Sequence, residues 1–152
     1  MSNFQASASR QGAQFRDQCN DLLVGLGFAL HGPANLDSIG VELDQVATSP
    51  SGALIWFEYK GSVQGDRPGL IRTDTLKKAI ANGALLRAHE HPMPYVVLTS
   101  HVPTSGSGKA MLDAALTLGI FADVVCVYDP AAQRRLKRMA VPTAGQNSLP
   151  LT

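Results

Sequence analysis

The sequence predicts an α/β fold in which helices flank a mixed central sheet. Apolar residues recur at helical spacing over residues 9–27, and two strand-like apolar runs follow at 40–47 and 53–61. Helical and strand-like patterns then alternate as far as residue 128. The predicted order is helix, two strands with room for a third, helix, strand, helix and strand. This order is typical of a sheet covered by helices.

The first half of the chain supplies a helix and a hairpin. Gly25 and Gly27 end the helix, because glycine readily adopts the backbone conformations that follow a helix. Residues 31–35 contain Gly and Pro and are interpreted as a loop. The turn at 48–52 contains Ser, Pro and Gly and suits an antiparallel hairpin. The apolar positions of the helix are Phe15, Cys19, Leu22, Leu23 and Leu26.

Helices and strands alternate in the second half of the chain. After a glycine-bearing loop at 61–69, Thr73 or Asp74 is expected to cap a second helix. A strand at 95–100 follows, and residues 103–108 are interpreted as a loop. The remaining predicted elements are a helix at 109–118, a strand at 122–128 and a short basic helix at 133–139.

Length and composition indicate one folded domain. A chain of 152 residues with 45% hydrophobic and 16% charged residues can bury a sizeable core and is not typical of a disordered protein. The domain is assigned to residues 1–140, and residues 141–152 are predicted to form a flexible tail. Because the net charge is only +1, any binding of nucleic acid depends on how the charges are distributed.

Cysteine content and hydropathy indicate where the protein works. Cys19 and Cys126 are too few for a disulfide framework and are expected to be reduced thiols. No apolar stretch is long enough for a transmembrane helix, and residues 1–16 lack the apolar centre of a signal peptide. A cytoplasmic location without membrane association is therefore expected.

Charged residues lie inside both strand-like runs, Glu42 and Asp44 in the first and Glu58 and Lys60 in the second. Residues i and i+2 of a strand project to the same face, so each pair is expected to share a face. If the runs are neighbours in the sheet, the carboxylates and the ammonium group converge on one patch. Charges inside such apolar strands are usually paired or bind a metal, and hard oxygen ligands suit Mg²⁺. The pattern predicts a divalent-cation site for phosphodiester chemistry.

The strand pair resembles the PD-(D/E)xK, or restriction-endonuclease-like, nuclease superfamily. In that superfamily an Asp on one strand is followed, after a turn, by Glu-x-Lys on the next, and Asp44, Glu58 and Lys60 match this pattern. The resemblance covers about residues 9–128. It implies a restriction-endonuclease-like αβββαβ core, which agrees with the predicted order of elements.

The helix before the strands carries a second part of the resemblance. The superfamily often has Gly-x-x-Phe-Glu in this helix and Gly-Phe at its end. Residues 12–15 and 27–28 match this pattern. The departure is Arg16, which stands where the helix often places a Glu, with Asp17 next. This departure bears on whether the site is catalytically active, and less on the fold.

The resemblance implies a Mg²⁺-dependent nuclease that hydrolyses phosphodiester bonds in DNA, as an endonuclease in preference to an exonuclease. Asp44 and Glu58 would hold the Mg²⁺, for which Mn²⁺ could substitute, and Glu42 would be an auxiliary carboxylate. Lys60 would position or help deprotonate the attacking water. A homodimer is expected by analogy, because small single-domain nucleases usually need two copies to cut both strands.

Basic residues downstream of the Glu-x-Lys strand are candidates for holding DNA phosphates. They are Arg67, Arg72, Lys77 and Lys78. Arg72 is the best of them because it stands at a predicted helix start, where phosphate binding is favourable. A solvated helix face explains Lys77 and Lys78 equally well. The denser cluster at 134–138 fits either a nucleic-acid contact or a soluble terminal helix.

Three other interpretations remain open. A nuclease-like domain without catalysis could serve as a DNA-binding or assembly subunit. The Gly-Ser-Gly-Lys segment at 106–109 could hold a nucleotide phosphate, although it lacks the first Gly and the Ser or Thr of a P-loop. The charges of the two strands could also form surface cross-strand pairs on a half-exposed sheet.

Overall fold

The computed structural model describes residues 3–61 and 69–140 and confirms the predicted α/β class, with a mixed sheet flanked by helices. A short 3-10 turn at Gly69–Ile71 precedes the second helix. In chain order the helices and strands are α1 Asn3–Gly25, β1 Ala29–Leu36, β2 Val41–Thr48, β3 Leu54–Lys60, α2 Thr73–Leu86, β4 Tyr95–Thr99, α3 Gly106–Thr117, β5 Asp123–Cys126 and α4 Pro130–Ala140.

The five strands lie in the order β1-β2-β3-β4-β5. The first three are antiparallel neighbours, so the hairpin predicted from the turn at 48–52 is confirmed. β3, β4 and β5 run parallel, and α2 and α3 supply the connections that parallel neighbours need. The carboxyl ends of these three strands therefore lie at one edge of the sheet, beside Lys60, the last residue of β3.

Each face of the sheet has its own apolar core. Phe57 packs with residues of α1 and α4, such as Leu23 and Leu136. Its neighbour Trp56 points to the other face and packs with residues of α2 and α3, including Leu76. β3 is buried on both faces, and this is why its sequence is a nearly continuous apolar run. A charged residue in β3 is therefore placed in the interior of the protein.

Residues 31–35, interpreted above as a loop, belong to the edge strand β1. An edge strand tolerates Pro33 because a proline can face solvent there without removing a hydrogen bond from the ladder. The pairing of β1 with β2 shifts on either side of Gly32. The Gly32 N–H donates to the side-chain Oε1 of Gln45 at 2.6 Å, so a side chain replaces a missing backbone partner.

Several predicted boundaries also differ from the structure. Residues 106–108 form the first turn of α3, because their glycines do not prevent a helix that is packed against the sheet. Arg72, and neither Thr73 nor Asp74, occupies the N-cap position of α2, without a side-chain capping hydrogen bond. The strand predicted at 122–128 is shorter, Asp123–Cys126. The predicted tail at 141–152 lies outside the described residues.

Both cysteines, Cys19 and Cys126, are free thiols. Burial raises the pKa of the Cys19 thiol well above its ordinary value, so this group is held as a neutral core residue. Among the described ranges, 3–61 and 69–140, no helix has the combined length and apolar character needed to cross a bilayer.

Candidate functional site

Glu58 lies in the middle of the buried strand β3 and is only 4% exposed. The Tyr95 hydroxyl donates a hydrogen bond to its Oε2, and Asn82 of α2 contributes long hydrogen bonds of 3.3 and 3.5 Å to Oε2 and Oε1. The Lys60 ammonium lies 3.1 Å from Oε1. A carboxylate this deeply buried is tolerated because it is both paired with a cation and hydrogen-bonded.

Lys60 follows Glu58 by two residues, and the pleat of the strand brings both side chains to the same face, as the spacing predicts. Its side chain remains 25% exposed, so the ammonium group sits between the buried carboxylate and solvent. The next residue is Gly61, where an added Cβ would lie 2.7 Å from the Phe15 ring and 2.8 Å from Ser100 Oγ. Close packing there fixes the end of β3 and with it the base of Lys60.

Asp44 lies at the end of the β2–β3 ladder. The last paired residues are Gln45 and Phe57, and one step further Asp44 stands opposite Glu58. Its Oδ2 accepts the backbone N–H of Tyr59 at 2.7 Å, so that the carboxylate takes the place of the next ladder bond. This contact places the Asp44 carboxylate beside the residue that separates Glu58 from Lys60.

The charges around Asp44 act on its ionisation. Asp44 is exposed at the surface, but its carboxyl group is partly desolvated by its neighbours, and this desolvation is the largest cause that raises its pKa above the ordinary value of 3.8, while the Tyr59 N–H opposes that rise. The Glu58 charge also raises the pKa of Asp44, and Lys60 and Arg16 lower it. Arg16, the departure from the superfamily pattern, therefore contributes a positive charge to the surroundings of Asp44.

Glu42 lies apart from the Glu58 carboxylate. Its neighbours Val41 and Leu43 pack in the core on the α2 side, and a strand alternates, so Glu42 points to the opposite face and is exposed. Between the cross-strand pairs Ala34–Leu43 and Gly32–Val46, β2 has two residues and β1 has one. The additional residue in β2 interrupts the alternation of its side chains at Asp44. Within the part of the chain that the structure describes, the Glu42 side chain forms neither a hydrogen bond nor an ion pair.

The structure separates the predicted DNA-contacting residues. Arg72 is exposed at the start of α2. Two residues before it, the Leu70 N–H donates to the carbonyl of His101, which lies just beyond the end of β4. Arg72 thus lies at the same edge of the sheet as Lys60, which pairs with Thr99 of β4. Arg67 lies outside the described residues.

Lys77 and Lys78 are both exposed but lie on different flanks of α2. Lys78 precedes Asn82 by four residues and so shares the flank that faces Glu58. Lys77 is rotated from Lys78 by about 100° around the helix, away from that flank. Of the two lysines, the structure brings only Lys78 toward the carboxylates.

The basic cluster at 134–138 lies at the other end of the sheet. Arg135 Nε is 3.2 Å from an oxygen of Asp123, the first residue of β5, and its Nη2 donates to the Val124 carbonyl. Because β3 and β5 run in the same direction, this end is opposite to the one that carries Lys60.

Lys109, the lysine of the segment at 106–109 that was considered for a nucleotide phosphate, forms an exposed ion pair with Asp113 at 2.7 Å.

The sequence analysis did not predict two contacts of the site, those of Tyr95 and Asn82 with Glu58. Tyr95 is separated from Glu58 by 37 residues and Asn82 by 24, and neither belongs to the Asp-Glu-x-Lys pattern. The sequence did offer a signal for Asn82. This residue has an amide side chain and stands next to Gly83, which lies on the inner side of an amphipathic helix. A buried carboxylate needs donors, and a polar residue at such a position is a candidate donor.

Two acids of the site, Asp44 and Glu58, could contribute ligands to a cation. Among residues 3–61 and 69–140, no three His, Cys, Asp or Glu side chains come together as a possible metal-binding group. The available acids are the pair Asp44 and Glu58. Mg²⁺ in enzymes usually takes one or two carboxylates and completes its shell with water and substrate oxygens, so two carboxylates are sufficient.

Comparisons of this chain with protein-family models, curated proteins and solved structures gave no match. Membership of the PD-(D/E)xK superfamily therefore stays a prediction from the sequence pattern of Asp44, Glu58 and Lys60.

Proposed function

We propose that this domain is a Mg²⁺-dependent nuclease of the PD-(D/E)xK type, which hydrolyses phosphodiester bonds in DNA as an endonuclease. The observation that supports this most directly is the pair of contacts that involve Asp44, Glu58 and Lys60 at the end of the β2–β3 ladder. The Asp44 carboxylate binds the N–H between Glu58 and Lys60, and Glu58 and Lys60 are themselves 3.1 Å apart.

Each of these residues has a role that its position allows. Asp44 and Glu58 would hold Mg²⁺, or Mn²⁺ in its place, and the ion when bound would lower the pKa of a water and offset charge on the phosphate. The Lys60 ammonium carries three N–H donors and is partly exposed, so donors remain to orient a water or a phosphate oxygen. Its positive charge would also stabilise the phosphate as negative charge develops.

The DNA backbone would pass over the edge of the sheet that carries Lys60 and the beginning of α2. Arg72 occupies the N-cap position of α2, and the start of a helix is a favourable place for a phosphate. Lys78 adds a positive charge on the flank that faces Glu58. A homodimer would allow two such sites to act on opposite strands of a duplex.

One observation favours a second candidate function, a nuclease-like DNA-binding or assembly subunit without catalysis. Both carboxylate oxygens of Glu58 already have protein donors, and the residue is almost fully buried. A Glu58–Lys60–Tyr95 network of this kind satisfies its own charges without a cation. The two candidates differ in whether DNA is cut or only bound.

The test is nicking of supercoiled plasmid with Mg²⁺ or Mn²⁺, with EDTA as a blank. Asp44→Asn is the sharpest variant because its amide oxygen can still accept the Tyr59 N–H while the charge is lost. Asp113→Asn, on the exposed surface, is the matched control. We expect metal-dependent nicking by wild type and Asp113→Asn and none by Asp44→Asn. Salt-sensitive binding without any cutting would support the second candidate instead.

A further inference from the structure

We propose that Tyr95 is a positioning residue for the metal site, and that it holds Oε2 of Glu58 so that only Oε1 is offered to a cation. This inference rests on the proposed nuclease function. It assigns different roles to the two oxygens of one carboxylate. It also assigns a role to a residue outside the Asp-Glu-x-Lys pattern.

The Tyr95 hydroxyl has little freedom to leave Glu58. Tyr95 is the first residue of β4 and pairs with Trp56 of the neighbouring parallel strand, two residues before Glu58. The residue is 4% exposed, and its ring packs against Phe121 with the ring centroids 5.8 Å apart. A tyrosine has few rotatable bonds, and core packing restricts these, so the direction of the hydroxyl is fixed by the fold.

Helix α2 packs closely against the same tyrosine at Gly83. A Cβ built at Gly83 would lie 3.3 Å from a ring carbon of Tyr95 and 2.5 Å from Ile120 Cγ2, so only glycine permits this approach. The preceding residue, Asn82, is thereby brought to Glu58, but its hydrogen bonds are longer, at 3.3 and 3.5 Å. Tyr95 is therefore the principal donor to Oε2, and Asn82 supports it.

The contact on the other oxygen can exchange. Oε1 is paired with Lys60, whose side chain is flexible and one quarter exposed. Oε1 would therefore be the oxygen of Glu58 that could hold a cation, in the place that the Lys60 ammonium group occupies, while the buried Tyr95 hydroxyl would keep Oε2. The Lys60 ammonium group, when not held on Oε1, could donate to a water or a phosphate oxygen.

The experiment measures Mn²⁺ binding by calorimetry and cutting as a function of Mn²⁺ concentration, for wild type and Tyr95→Phe. Tyr128→Phe is the control, because it removes a hydroxyl that donates to Gln18 at an exposed site. Loss of a residue that orients a metal ligand typically weakens metal binding by about 10–100-fold. We expect that loss in Tyr95→Phe only, with cutting recovered at saturating Mn²⁺ because Tyr95 does not touch the substrate.

Circular dichroism at the assay temperature establishes that each variant is folded. A folded Tyr95→Phe that binds Mn²⁺ as tightly as wild type would overturn the inference and leave the proposed function standing. Wild type that neither binds Mn²⁺ nor cuts DNA would overturn the proposed function and this inference together.

A second measurement, by nuclear magnetic resonance, uses only the wild-type protein. A hydroxyl proton that donates to a buried carboxylate exchanges slowly with water, so the Tyr95 hydroxyl should give a proton resonance in wild type. We expect that resonance to persist when the protein is saturated with Mg²⁺, because Oε2 keeps its partner. Its disappearance on Mg²⁺ binding would show that the cation takes Oε2 and would overturn the inference.

Discussion

Asp44 and Tyr59 are joined across β2 and β3 by a hydrogen bond of 2.7 Å from a backbone N–H to a carboxylate oxygen. A side chain here takes the place of a backbone carbonyl at the end of a ladder, where β2 carries an additional residue relative to β1. The consequence is that an acidic group is brought beside Glu58 and Lys60 although the regular pairing has already ended.

The pKa of Asp44 predicts a specific pH dependence of stability. Desolvation raises that pKa in the folded state, so the folded protein holds this proton more tightly than the unfolded chain does. Stability attributable to Asp44 is therefore greatest when the group is protonated and falls as the pH rises through the raised pKa. In urea unfolding from about pH 4 to about pH 7, wild type should lose stability relative to Asp44→Asn. If the free energy of unfolding of wild type minus that of Asp44→Asn stays constant or rises with pH, the prediction is wrong.

Removing the Lys60 ammonium should destabilise the fold through Glu58. In Lys60→Met the buried carboxylate loses its cationic partner. Breaking a fully buried pair costs about 3–5 kcal/mol, and the partial exposure of Lys60 reduces this to roughly 1–3 kcal/mol. The double variant Lys60→Met/Glu58→Gln should recover part of the loss, since no charge is left unpaired. Additive losses in urea unfolding would show that the two side chains are not coupled.

Gly83→Ala should destabilise the protein although alanine favours helices. The new Cβ would lie 2.5 Å from Ile120 Cγ2 and 3.0 Å from the Ile120 carbonyl oxygen, so α2 would have to move away from Ile120. Overpacking of this kind costs about 1–3 kcal/mol, which outweighs a helix-propensity gain of about 1 kcal/mol. The control is Gly25→Ala in α1, where nothing lies within 4 Å of the added Cβ. Thermal unfolding should give a lower midpoint for Gly83→Ala and an unchanged or higher one for Gly25→Ala.

Lys78 should matter more for DNA binding than Lys77. Lys78 shares the flank of α2 with Asn82, which contacts Glu58, whereas Lys77 does not. If Lys78 meets a phosphate, Lys78→Ala should weaken binding and lower the slope of log affinity against log salt by about 1, with little change for Lys77→Ala. Fluorescence anisotropy over a series of salt concentrations measures both quantities. Equal effects of the two substitutions would place the DNA on another surface.

Features that depend on neighbours along the chain could be predicted from the sequence. The helical spacing of Phe15 and Leu23 indicated α1, and the turn at 48–52 indicated the hairpin. The same reasoning failed for residues 31–35, because Gly and Pro also occur in an edge strand. No local pattern distinguishes that strand from a loop. The candidate role of Glu42 depended on regular alternation, which the additional residue in β2 interrupts.

By itself, the sequence determined that Glu58 and Lys60 share a face, because the pleat of a strand sets side-chain direction at two residues' separation. Only the tertiary structure decided what surrounds that pair. The contacts of Tyr95 and Asn82 with Glu58 come from the register of β4 and from the close approach of α2 at Gly83. The physical reason is that backbone geometry acts within an element, whereas the placement of one element against another depends on how distant side chains fill a common core.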